Sequence, residues 1–144
     1  MKSKLSLACI LIVALLGGCA SGPSFSTYSG SIPPLDSQKA RFYFYRSTLL
    51  GGAIQPAVRV NGTEVGDAKP HGAFYYDVAP GEYQVETSTE VTRSLTLKLE
   101  KGDVRYVRLN VSMGFMVAHI YPELVDADVG SKEILDCKYS GMNK

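Results

Sequence analysis

The chain reads as an all-β sandwich of about seven strands, closed by a short C-terminal helix. Three observations predict this. Apolar and polar residues alternate through several short stretches, the two-residue period of a half-buried strand. Turn-forming groups separate those stretches: Asn61-Gly62, Ala79-Pro80-Gly81 and Lys101-Gly102-Asp103. After Pro122 the pattern changes, and Asp126 stands where a helix N-cap belongs.

The folded part is expected to begin near Ala40. R-F-Y-F-Y-R, residues 41–46, is a strand by its aromatic composition. The connection S-T-L-L-G-G-A-I-Q-P is unusually apolar, with Leu49, Leu50 and Ile54. A-V-R-V follows as a short strand, and Asn61-Gly62 then signals a hairpin, because both residues tolerate the positive φ of a type I′ turn. T-E-V-G is the returning strand. G-A-F-Y-Y-D-V places Phe74, Tyr76 and Val78 on one face, and E-Y-Q-V-E-T-S-T does the same for Tyr83, Val85 and Thr87. Leu95, Leu97 and Leu99 alternate next, then Val107, Leu109 and Val111. M-G-F-M-V-A-H-I-Y, residues 113–121, is apolar on both faces and suits a central strand. Residues 126–137 read as a helix with Val129, Glu133 and Cys137 on one face. The rival reading is a strand, since Leu135, Cys137 and Tyr139 alternate.

The first residues stand apart from the fold. Lys2 and Lys4 precede an uncharged apolar run over residues 5–16, too short for the roughly 20 residues of a membrane-spanning helix. This is the layout of a secretion signal. The run ends in L-L-G-G-C-A-S, which resembles the lipobox of bacterial lipoproteins. The resemblance implies cleavage after Gly18, so that residues 1–18 are a signal peptide, and acylation of Cys19 as the new N-terminus. Gly17 is a less usual occupant of the middle position. Ala20, rather than an aspartate, follows Cys19; in a Gram-negative envelope this implies the outer membrane, facing the periplasm. Residues 19–39, rich in serine, glycine and proline, read as the lipidated N-terminus and a flexible tether. Such a tether spans on the order of 25 Å root-mean-square. The sandwich domain is then residues 40–144.

Loss of Lys2 and Lys4 leaves 13 basic against 14 acidic side chains, a formal charge of −1. Without a basic excess to release counterions, nucleic acid is not an expected partner. Of the three cysteines, Cys9 leaves with the signal and Cys19 is acylated, so Cys137 has no internal disulfide partner. It is either a small, half-buried apolar residue or a thiol open to an intermolecular bridge.

No motif announces catalysis. Gly62, Gly66 and Gly72 match neither the dinucleotide-binding nor the P-loop spacing, and no helix follows them. His71 and His119 lie in different elements, with no second ligand at metal-site spacing. No serine occupies a nucleophile elbow. Glu64, Asp67 and Asp77 fall where turns and solvent faces place acids. No catalytic residue, metal or cofactor is therefore expected. Two apolar groups remain: Leu49, Leu50 and Ile54 in the connection, and Met113, Phe115 and Met116 around Gly114. They either close the ends of the core or form an exposed partner surface.

Two likenesses join these features. V-R-V-N-G-T-E-V-G, D-V-A-P-G-E-Y-Q-V-E and L-K-L-E-K-G resemble the PEGA-type pattern of small immunoglobulin-like extracytoplasmic sandwiches. The ordered blocks R-F-Y-F-Y-R, L-L-G-G-A-I-Q-P, H-I-Y-P-E-L-V-D and K-E-I-L-D-C-K resemble the DUF2846 family of bacterial lipoproteins, across nearly all of residues 40–139. That resemblance implies a compact β-rich periplasmic domain, often lipid-anchored, and supplies no catalytic residues. The expected function is that of a membrane-anchored envelope lipoprotein with a non-enzymatic binding or structural role. Its expected partners are the membrane, through the anchor, and an envelope protein. The alternative is a periplasmic small-ligand carrier or enzyme, which a pocket with converging polar groups would favour.

Overall fold

The computed structural model of the chain describes residues 20–141, so the signal segment 1–18 and Cys19 lie outside the described residues. In chain order the elements are α1 (Phe25–Tyr28), β1 (Ala40–Tyr45), β2 (Ala57–Val60), β3 (Thr63–Asp67), β4 (Gly72–Val78), β5 (Gly81–Ser88), β6 (Thr92–Leu99), β7 (Val104–Met113), β8 (Ala118–Val125), α2 (Ala127–Glu133) and β9 (Lys138–Tyr139). Among the described residues these nine strands form two sheets, ordered β8-β7-β1-β4-β9 and β3-β2-β5-β6. The expected class is the observed one, a mostly β two-sheet sandwich with a short helix near its C-terminus.

The aromatic run of β1 lies at the middle of the five-stranded sheet, antiparallel to β4 and parallel to β7. Successive side chains of a strand point to opposite faces, and both faces of β1 are covered. Phe42 and Phe44 enter the core between the sheets, with Val58, Phe74, Val85, Val107, Leu109 and Ile120. Each fully buried side chain of this size contributes roughly 1.5–3 kcal/mol. The hydroxyl of Thr87 donates across the sandwich to the carbonyl of Ile120 at 2.6 Å, which satisfies a buried polar group and ties the sheets together.

On the other face Tyr45 and Ala73 pack with Phe25, Ile134 and Cys137. Here part of the segment expected to be a tether, within residues 20–32, packs against the sheet. Phe25 meets the Tyr43 ring edge-on at 6.0 Å, and Tyr28 stacks on Tyr139 at 3.6 Å. The backbone is pinned as well: Phe25 N donates to Cys137 O, and Tyr139 N to Pro23 O, each at 2.8 Å. A few apolar side chains in a polar segment suffice, because the outer face of the sheet offers them a ready-made hydrophobic surface. The molecule therefore has three layers: sheet, sheet, and a cover built from both ends of the described chain.

Asn61 and Gly62 take φ values of 47° and 80°, the positive pair a type I′ turn needs. Asn61 also reaches β5, accepting from Gln84 N at 2.8 Å and donating to Glu82 O at 3.3 Å. The segment 113–121 departs from expectation. Residues 114–117 are the tip of the β7–β8 hairpin, closed by Gly114 N to Val117 O at 3.0 Å, and residues 118–121 begin β8, an edge strand. An edge position also explains Pro122 within β8, opposite Leu109, since a missing N–H is tolerated there.

The C-terminal segment resolves both rival readings. It is helical over α2, continues as a 3-10 turn over Ile134–Asp136, and then becomes β9. The buried side is Gly130, Ile134 and Cys137, whereas Val129 faces solvent. A Cβ on Gly130 would lie 2.4 Å from Tyr106 Cβ, so this glycine lets the helix touch the sheet.

Candidate functional site: the apolar end of the sandwich

Because β1 and β7 run parallel, their C-terminal ends point the same way. The antiparallel β4 begins where β1 finishes, with Tyr45 opposite Ala73. One end of the sandwich therefore gathers the connection 46–56, the turn 68–71 and the hairpin tip 114–117. The β5–β6 turn joins them from the other sheet: Thr89 Oγ1 lies 3.2 Å from His119 Nδ1.

Arg46 organises this end. It is fully buried, and its guanidinium donates to three carbonyls: Ile54 at 2.8 Å, Ala68 at 2.7 Å and Leu50 at 2.6 Å. Its Nε has no partner, and burial among neutral groups holds the guanidinium below the usual arginine range. The carbonyls of the connection are thus turned inward onto the arginine. Gly51 presses down onto β8, where a Cβ would come 2.8 Å from that of Ala118.

The apolar side chains left outside are held in place by this arrangement. Leu49 is 58% exposed, Leu50 52%, Met113 69% and Met116 78%, and Phe115 is fully exposed. Val91, in the β5–β6 turn, is 45% exposed and was not singled out from sequence. Ile54 differs from the other residues expected at such a surface, since it packs against the core. Residues 47–56 and 112–118 contain no charged side chain. An open cleft of about 390 Å³ runs between these loops, lined by Ile54, Pro56, Ser88, Thr89, Glu90 and Val117. Gln55 completes the polar side of that lining with Ser88, Thr89 and Glu90, and Glu90 is the one charged side chain among them.

The described chain also enters here. Ala20 is buried, and its N–H donates to Pro70 O at 3.2 Å. Pro70 lies beside the connection, with its Cγ 3.6 Å from where a Cβ of Gly52 would sit. The residue following Cys19 is therefore fixed to the turn 68–71, beside the connection, instead of at the far end of a linker.

The remaining polar clusters hold the fold. Arg41 grips Asp77 through two bonds of 2.5 and 2.8 Å and lies over the Tyr75 ring; the bond to Asp77 raises its pKa. Arg108 bridges Glu123 and Glu133, and Glu133 also accepts from the Tyr45 hydroxyl at 2.6 Å. This network fastens the end of α2 to the sheet. Glu64 pairs with Arg59 at 3.3 Å, and no group of three His, Cys, Asp or Glu among the described residues could hold a metal ion. His71, half-buried with φ 52°, and His119 belong to different elements and do not meet a common ligand set. Cys137 is buried, its Sγ 3.7 Å from Arg46 O.

A family model described as "Protein of unknown function (DUF2846)" matches residues 36–121. The chain is also similar to a protein of Haemophilus influenzae (strain Rd) described as uncharacterized. The two are 26% identical over 140 residues, which is 93% of this chain and 83% of that protein. The matched region runs from the residues before β1 through the β7–β8 hairpin tip, taking in most of the apolar end, and the chain belongs to the DUF2846 family.

Proposed function

We propose that the protein is a membrane-anchored envelope lipoprotein whose sandwich has a non-enzymatic role, as a binding or structural module. The observation that carries this reading is the sequence Leu16-Gly17-Gly18-Cys19, placed after Lys2, Lys4 and an apolar run of signal-peptide length. Acylation suits such a module, since each buried CH₂ contributes about 0.8 kcal/mol and two or more chains give stable membrane residence. With Ala20 after the cysteine, the anchor in a Gram-negative cell belongs to the outer membrane, on its periplasmic side. The non-enzymatic role is supported by the use of Asp77, Glu123 and Glu133, each paired with an arginine that holds the fold. Cells given a labelled fatty acid are expected to label the wild-type chain and not Cys19→Ala. Label retained by Cys19→Ala would overturn the anchor. In-cell crosslinking is expected to trap an envelope component, whereas recovery of a bound small molecule alone would contradict the non-carrier role.

A further inference from the structure

The exposed apolar side chains at one end of the sandwich and the entry point of the chain share one place, and that coincidence indicates what covers them. We propose that this end is a second membrane contact, in which Leu49, Leu50, Met113, Phe115 and Met116 enter the interfacial region of the bilayer that holds the Cys19 acyl chains. The proposal rests on the anchor reading above and extends it to an orientation.

Position is the first argument. Ala20 is hydrogen-bonded to Pro70, and one residue spans at most about 3.6 Å. An acyl group on Cys19 is therefore tied to this end of the domain and cannot serve a distant face. Chemistry is the second. The two loops that carry these side chains have no charged residue, whereas Lys69 and Glu90 belong to the turns beside them, so charge borders the apolar patch without entering it. Rigidity is the third: the Arg46 bonds and the Gly51 contact fix the connection before it meets lipid, so little ordering entropy is lost on insertion. A protein occupant of the same surface would have to compete with a bilayer already held within a residue or two.

The chain has no tryptophan, so single substitutions give site-specific fluorescence. Leu50→Trp and Phe115→Trp change exposed positions, and Glu100→Trp lies in the β6–β7 turn at the opposite end. The ten-residue β7 separates the ends by about 30 Å at roughly 3.3 Å per residue. Each acylated full-length variant is reconstituted into vesicles of phosphatidylethanolamine and phosphatidylglycerol, with and without brominated acyl chains. The expected result is a blue shift and loss of most emission on bromination for Leu50→Trp and Phe115→Trp, with Glu100→Trp unchanged. If acylation is verified by mass and all three stay unquenched, the membrane-contact proposal is overturned while the anchor stands. If the purified chain carries no acyl group, the anchor reading fails, and this proposal with it. A blue shift at Phe115→Trp without bromine quenching would mean that a protein surface covers the tip, which also overturns the proposal.

Discussion

Cys137 stands between the 3-10 turn and β9 with its thiol packed beside Tyr45 and Ile134. Burial is the main reason its pKa is pushed up to about 12, from an ordinary value of 9.0. The folded-state value is raised, so its contribution to stability is complete below about pH 9. Between pH 9 and about 12 the unfolded thiol ionises and the folded one does not, so stability falls as pH rises through that window. The same burial makes the thiol unreactive. A maleimide at pH 8 is expected to leave Cys137 untouched in the folded chain and to label it once guanidinium is added. Rapid labelling without denaturant would show that the third layer opens. Sequence could leave Cys137 only as one of two alternatives, because burial here depends on a segment over a hundred positions away. Asn61-Gly62 was legible, since a turn type is decided by adjacent residues. Arg46 was not: it closes an aromatic strand as an ordinary flanking charge would, and its three carbonyl partners come from loops whose path the sequence does not encode locally.

The strands were the most readable elements, and the residues predicted to share faces in β4, β5, β6 and β7 do reach the core. Two elements were misplaced for a common physical reason. The run at 113–121 is apolar because its first half projects outward, so hydrophobicity there marks a surface and not a central strand. The segment before β1 is polar because few of its side chains, chiefly Phe25, Tyr28 and Ile32, pack on the outer face of the sheet. Composition averages such contacts away. The packed reading makes a definite prediction. Phe25 is 3% exposed, so Phe25→Ala is expected to lower unfolding free energy by roughly 3 kcal/mol. Denaturant titration measures this, and an unchanged midpoint would return the segment to the status of a tether.

For the molecule as a whole, the parallel pairing of β1 with β7 decides the functional geometry. It brings the connection after β1 and the tip after β7 to one end, and the antiparallel β4 adds the turn that receives Ala20. None of this was readable from motifs, since strand order depends on long-range contacts. What the sequence did carry was a stretch at Cys19 that resembles a lipobox, and two uncharged apolar loops. With the packed segment in place of a linker of on the order of 25 Å, the proposed anchor would hold the domain to its membrane by one end. The claim beneath this picture is tested most directly by the mass of the mature chain extracted from membranes. The expected result is an N-terminus at Cys19 bearing a diacylglyceryl group on its thiol. A mature chain that begins elsewhere, or begins at an unmodified Cys19, would contradict it.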